Sequence, residues 1–191
     1  MLREVIMFLS SVQLPSGQPP NPYKIHQQLW HNFPDDPDGE RPFLFQMEDP
    51  QRLLLLSSRE PMPQSGGARI IGTKPYTPQP QAGQMLRFRL DANPTKRLKK
   101  ERNRVPLIHE EEQISWLSRK LQGAATVSEV LISRRENLFF RKGRRAGKIV
   151  KVRFEGILTV NYPEQLINMV EKGVGPAKAF GCGLLLVRRL S

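Results

Sequence analysis

From about Gly83 onward the chain switches repeatedly between two hydrophobic periods, and the order of those switches restricts the fold more than any other property of the sequence. Leu86, Phe88 and Leu90 alternate with Arg87 and Arg89, the period of a half-buried strand with a basic outer face. Residues 110–121 set Ile114, Leu117 and Leu121 on one helical stripe. Val127 to Ser133 is rich in β-branched residues, and Val150, Val152, Phe154, Leu158 and Val160 alternate along a longer strand, so a hairpin joins the two. Pro163 suits the first turn of a helix carrying Leu166, Ile167 and Val170, which stops at Gly173. Gly183 to Arg188 supplies a last strand. The predicted order is βαββαβ, a ferredoxin-like domain.

The first half begins in the same way, with a strand near 4–14, a helix from Pro22 to Phe33, and strands near 43–48 and 52–58. Pro61, Pro63, Gly66 and Gly67 then occupy the place of the second helix, before a strand at 68–73. Prolines at 75, 78 and 80 read as a linker. A length of 191 residues is comfortable for two small cores. The expected fold is therefore α+β: two tandem ferredoxin-like domains over 1–78 and 79–191, the first with a degraded second helix.

Thirty Lys and Arg against eighteen Asp and Glu leave a formal charge of +12, which points to a polyanionic partner. The excess is local. Residues 87–104 hold eight basic and two acidic side chains and residues 134–153 nine and one, so the remainder is slightly acidic. Such windows read as binding surfaces, although charge runs are also common on solvated faces. The single cysteine, Cys182, excludes an internal disulfide framework or a cysteine zinc site. The longest apolar start, Val5 to Leu9, is far short of the ~20 residues of a membrane span. A soluble cytoplasmic protein is expected, without membrane association.

The carboxylates are poorly arranged for a metal. Asp35, Asp36, Asp38 and Glu40 crowd a Pro- and Gly-containing loop, and Glu110, Glu111 and Glu112 open a helix, where acidic residues meet the dipole favourably. The three histidines, at 26, 31 and 109, form no HExxH pattern. Neither a metal nor another cofactor is expected. RNA allows strand cleavage without one, because its 2′-hydroxyl attacks the adjacent phosphate once a base takes its proton, and histidine is best matched to that exchange near neutral pH. Tyr23 and His26 stand one helical turn apart, side by side. The same wheel sets His26 at the edge of an apolar arc with Ile25, Leu29, Trp30 and Phe33, and from spacing alone a packed histidine is the commoner outcome.

Gly173, Gly175, Gly181 and Gly183 punctuate a segment between the last helix and last strand, with Lys178 within it. It matches neither GxxxxGK[ST] nor GxGxxG. It reads as a phosphate-approaching loop or as a tight helix-to-strand turn, and Cys182 inside it as a small packed residue. Arg141, Lys142, Arg144, Arg145 and Lys148 surround a hairpin tip, while Lys96, Arg97, Lys99, Lys100, Arg102 and Arg104 offer a second phosphate clamp. A-form RNA has a deep, narrow major groove, so these cations would grip phosphates more readily than read paired bases.

Several stretches together resemble one family, the CasE endoribonucleases of type I-E CRISPR systems: YKIHQQLWHNFP at 23–34, RPFLF at 41–45, FRLDANPTK at 88–96, RVPLIHEEEQISWLSRKL at 104–121, FEGILTV at 154–160 and GVGPAKAFGCGLLLV at 173–187. They span nearly the whole chain in family order. The resemblance implies two ferredoxin-like domains and metal-independent cleavage of repeat RNA at the foot of its hairpin by 2′-hydroxyl attack, leaving a cyclic phosphate and a 5′-hydroxyl. It implies proton transfer at His26, with Tyr23 orienting the ribose or phosphate. It also implies retention of the mature crRNA and partnership with other Cascade subunits, especially the backbone subunit. The competing reading is a non-catalytic RNA-binding or assembly subunit, which the charge distribution would fit equally; intact RNA bound at high affinity would favour it.

Overall fold

A computed structural model of the chain describes residues 6–15, 21–34, 41–63, 68–97, 104–142 and 145–190, with backbone alone at 141, 142, 145 and 146. The N-terminal part runs β1 (Met7–Gln13), α1 (Pro22–Trp30), β2 (Phe43–Asp49), β3 (Arg52–Ser57) and β4 (Arg69–Tyr76). Its sheet has the order β2-β3-β1-β4, antiparallel throughout. The remainder runs β5 (Met85–Ala92), β6 (Thr95–Arg97), β7 (Arg104–Pro106), α2 (Glu110–Leu121), β8 (Ala125–Lys142), β9 (Arg145–Val160), α3 (Pro163–Lys172), a 3-10 turn (Lys178–Phe180) and β10 (Leu185–Arg189). The second sheet, β10-β5-β9-β8, repeats the strand order of the first, and both are ferredoxin-like.

Four details depart from expectation. β4 continues through Pro75, which pairs with Phe8; β4 is an edge strand, where a residue without an N–H is tolerated, so that proline belongs to the sheet and not to the linker. β8 and β9 extend well beyond the predicted hairpin. β5 accompanies β9 only over Val152 to Thr159, so residues 145–151 and their partners on β8 form a two-stranded arm of roughly 24 Å at ~3.4 Å per residue. β6 and β7 make a small ribbon where only a basic run was read. Helix α1 stops at Trp30, short of Phe33.

The missing second helix of the first domain is replaced by a side chain. Asn32 is fully buried, and its Nδ2 donates to the carbonyls of Met62 (2.9 Å) and Ala68 (3.1 Å) while its Oδ1 accepts from the Ala68 N–H (2.9 Å). One amide thus satisfies backbone groups on both sides of the 61–68 connection, which buried peptide groups require.

One face of each sheet is covered by its helices. Val12, Phe43, Phe45, Leu53 and Leu55 bury Ile25 and Leu29 of α1, and Leu86, Phe88 and Leu90 bury Trp116, Leu117 and Leu121 of α2 with Leu166 and Val170 of α3. Side chains alternate across a strand, so Leu44, Leu56 and Met7 point the other way, and they join the second domain's core. The helix-free faces therefore meet each other. Polar groups trapped between them are paired: Arg153 lies on Asp91, Arg89 lies on Glu48, and the Gln46 amide, oriented by its surroundings, accepts from Arg153 Nη2 (3.2 Å) and Arg89 Nε (3.1 Å).

Candidate active site and nucleic-acid interface

Helix α1 begins with Asn21, whose side-chain oxygen accepts the Tyr23 N–H at 3.0 Å, followed by Pro22, whose missing N–H costs nothing there. This fixes the helix phase: Ile25 and Leu29 turn into the core, and Tyr23 and His26 lie along its margin. Tyr23 is exposed. His26 is half-buried between the edge-on ring of Trp30 (centroids 6.2 Å) and the ring of Phe43 (5.7 Å). The packed reading of this histidine is thus partly realised: its ring is held against Trp30 and Phe43, and the residue keeps some exposure to solvent.

Phe43 also brings in a residue that the sequence reading did not select. Arg41, two positions earlier, is partly buried, and its Nε has no hydrogen-bond partner among the described residues. Burial lowers the pKa of His26 and the positive charge of Arg41 lowers it further; the same two causes act on Lys178. His26, Arg41 and Lys178 therefore share one electrostatic environment. Only the motif RPFLF marked Arg41 in the sequence, and periodicity carries no information about an isolated cation before a strand.

Lys178 arrives by way of the glycine segment. Gly173, Gly175, Gly181 and Gly183 all have positive φ, from 76° to 96°. A Cβ on Gly173 would stand 2.9 Å from Leu44, and on Gly181 3.0 Å from the Phe45 ring. These two glycines accordingly let the segment close on β2 and bring the 3-10 turn against α1. Ala177, just before Lys178, has φ 64°, a conformation costing about 1–2 kcal/mol in an L-residue. The Gly183 N–H donates to the Asp91 carbonyl at 2.6 Å, and Lys178 Nζ donates to the Lys172 carbonyl at the C-terminal end of α3 (2.6 Å). Of the two readings of this segment, the tight turn accounts for its glycines. Cys182 is fully buried and its thiol pKa is pushed up to about 12, which suits a packed residue.

The basic windows are partly structural. Arg89, Arg153, Arg134, Lys151, Arg135 and Lys96 hold Glu48, Asp91, Glu136, Glu136, Glu110 and Glu112 respectively. Counting charge along the sequence could not reveal most of this, because, Glu136 beside Arg134 apart, the partners come from distant elements or the facing strand. Exposed cations remain at Arg87, at Arg97 and Arg104, opposed across the β6–β7 ribbon, and at Lys148, 5.9 Å above the exposed Phe139 ring on the arm. Phe140 of the arm meets Phe180 of the 3-10 turn at 4.7 Å, so arm and Lys178 segment adjoin. Arg141, Lys142 and Arg145 belong to the arm's strands by backbone, and Lys99, Lys100, Arg102 and Arg144 lie outside the described residues. Among the described residues no group of three or more His, Cys, Asp and Glu could hold a metal, and no helix is long and apolar enough to cross a membrane.

The two ferredoxin-like domains thus set a histidine and two cations beside a projecting arm that carries Lys148. The chain belongs to the CRISPR associated protein family, whose model matches residues 7–189. It is similar to the CRISPR system Cascade subunit CasE of Escherichia coli, with 45% identity over 94% of this chain and 98% of that protein. It is also similar to the CRISPR-associated endoribonuclease Cse3 of Thermus thermophilus, with 35% identity over 87% of this chain and 90% of that one. A solved structure of CRISPR endoribonuclease Cse3 bound to a 19 nt RNA superimposes with a TM-score of 0.86 over 97% of this chain and 100% of its own, at 33% identity.

Proposed function

We propose that this chain is a metal-independent endoribonuclease that binds the stem-loop of a CRISPR repeat and cleaves precursor crRNA at the base of the hairpin. The observation that carries the reading is the packing of the 3-10 turn that bears Lys178 against the helix that bears His26, with the positive charge of Arg41 opposing protonation of both. An anion placed among them relieves that opposition and gives the buried Arg41 Nε an acceptor. A phosphodiester is such an anion, and the endoribonuclease activity named for the Thermus relative is consistent with it.

In this reading the 2′-hydroxyl proton passes to the neutral imidazole of His26, whose lowered pKa keeps it unprotonated near pH 7. The 2′-oxygen attacks phosphorus, the bond to the 5′-oxygen breaks, and a proton is returned to that oxygen. The products are a 2′,3′-cyclic phosphate and a 5′-hydroxyl. Arg41 and Lys178 balance the charge that develops on the phosphate oxygens, and Tyr23 orients the ribose or phosphate from the exposed side of α1.

The division of labour follows the sheets: residues 1–78 supply the acid–base helix, and residues 79–191 supply the hairpin and glycine segment. Lys96, Arg97 and Arg104, with Lys148 and the other basic residues of the arm, grip the stem's phosphates. The crRNA is kept after cleavage and carried in the cytoplasm into an assembly such as Cascade, of which the E. coli relative is named a subunit, and the chain docks there against the backbone subunit.

Incubating the matching repeat RNA with the protein in excess EDTA tests the reading. Cleavage to fragments whose new 5′ ends accept phosphate directly from polynucleotide kinase is expected. Cleavage that requires added divalent metal, or that leaves 5′-phosphate ends, would overturn it.

A further inference from the structure

A second basic surface lies where the edge strands β4 and β10 of the two sheets meet. Between β4, the linker after it and the end of β10 runs a groove of about 290 Å³ whose lining includes Lys74, Tyr76, Gln79, Gln84, Arg188 and Arg189 and contains no acidic residue. Its wall is rigid, because the Tyr76 hydroxyl both accepts the Val187 N–H and donates to the Val187 carbonyl, each at 2.9 Å. In register, Arg188 stands directly opposite Arg87, and both are exposed. Neither has an acid partner among the described residues, unlike the paired arginines between the sheets. Like charges directly opposed across strands are destabilising, so the fold gains nothing from this arrangement, whereas a polyanion neutralises it.

β4 and β2 are opposite edges of the first sheet, about 14 Å apart at ~4.8 Å per strand, and His26 packs over Phe43 of β2. The groove is therefore outside the reacting centre. At about 290 Å³ and bounded by prolines at 75, 78 and 80, it has room for a short stretch of one strand's backbone. We infer that the Lys74–Arg188–Arg189 groove binds a single-stranded RNA segment through its phosphates, separately from the site at which the hairpin is cut. The choice of RNA over another polyanion rests on the proposed cleavage function.

Anisotropy of a fluorescein-labelled oligouridine of twelve nucleotides tests this at low salt. The variant K74E/R188E/R189E should bind at least tenfold more weakly than the unaltered chain, with a log–log salt slope smaller by about two if three phosphate contacts are lost at ~0.7 each. The charge-matched variant R52E/R119E/K120E should change affinity less than twofold. The milder pair R188A/R189A, at exposed positions, should give an intermediate loss and guards against misfolding. Equal losses in the groove and control variants, or none in either, would overturn the inference and leave an acidic protein surface as the groove's counterpart. Single-turnover cleavage of the repeat hairpin by the groove variant should be unchanged, so a failed cleavage reading and a failed groove are told apart.

Discussion

Arg153 grips Asp91 with two charge-assisted hydrogen bonds, Nε to Oδ1 at 2.7 Å and Nη2 to Oδ2 at 2.9 Å, and its Nη2 also donates to the Met47 carbonyl of the other domain at 2.6 Å. The backbone carbonyl of the same Asp91 holds Gly183. One ion pair therefore connects β9, the end of β2 and the glycine segment, and it sets the distance between the domain bearing His26 and the loop bearing Lys178.

Removing one partner should be costly. Arg153→Met leaves a nearly inaccessible carboxylate without its cation, a change worth roughly 3–5 kcal/mol. A urea titration should show the lowered midpoint, and repeat cleavage should slow more than hairpin affinity falls, because the groups around the phosphate lose their alignment. A stability within about 0.5 kcal/mol of the parent, the scatter of an ordinary surface substitution, would contradict this role.

Asn32→Ala should destabilise the N-terminal domain by roughly 2–3 kcal/mol, since buried backbone groups at Ala68 and Met62 lose their partner. Thermal melts check it. Asn32→Asp should behave little better, because the replaced nitrogen is the donor to both carbonyls.

How far the chain was readable follows from the kind of signal each part leaves. Alternation at Leu86–Leu90 and Val150–Val160 and the helical stripe of Ile114–Leu121 each bury one face, so the second sheet was legible. The length of the β8–β9 arm was not: beyond Val152 no third strand among the described residues joins it, and Arg141 to Lys148 carry turn and charge signals instead of alternation. Spacing set Tyr23 and His26 side by side but favoured a packed histidine, and only the family resemblance implied a role for the pair; the character of His26 depends on Phe43 and Arg41, which reach it through tertiary packing. The partners of Arg89, Arg135 and Arg153 lie 25 to 62 residues away, and nothing local announces them.

The pKa of His26 should lie below its ordinary 6.5, lowered by burial and then by Arg41. Removing the Arg41 charge takes away one of the two depressing causes, so in Arg41→Gln the pKa rises. NMR titration of the imidazole checks this directly. In kinetics, the pH limb due to His26 should shift to higher pH in that variant; an unshifted or lowered pKa would break the proposed link between the two residues.

Gly181→Ala should disturb the loop. The new Cβ would stand 3.0 Å from the Phe45 ring in a backbone conformation, φ 76°, that alanine disfavours by about 1–2 kcal/mol. Cleavage should fall at least tenfold with hairpin binding changed by less than threefold, measured by single-turnover kinetics and filter binding.

The most direct measurement is single-turnover cleavage of the matching repeat RNA by His26→Ala, alongside the affinity of the same variant for the intact hairpin. General acid–base catalysis contributes about 10²–10⁴-fold, so the rate should fall by at least two orders of magnitude while affinity stays within threefold. Cleavage at the parental rate would contradict the account at its centre.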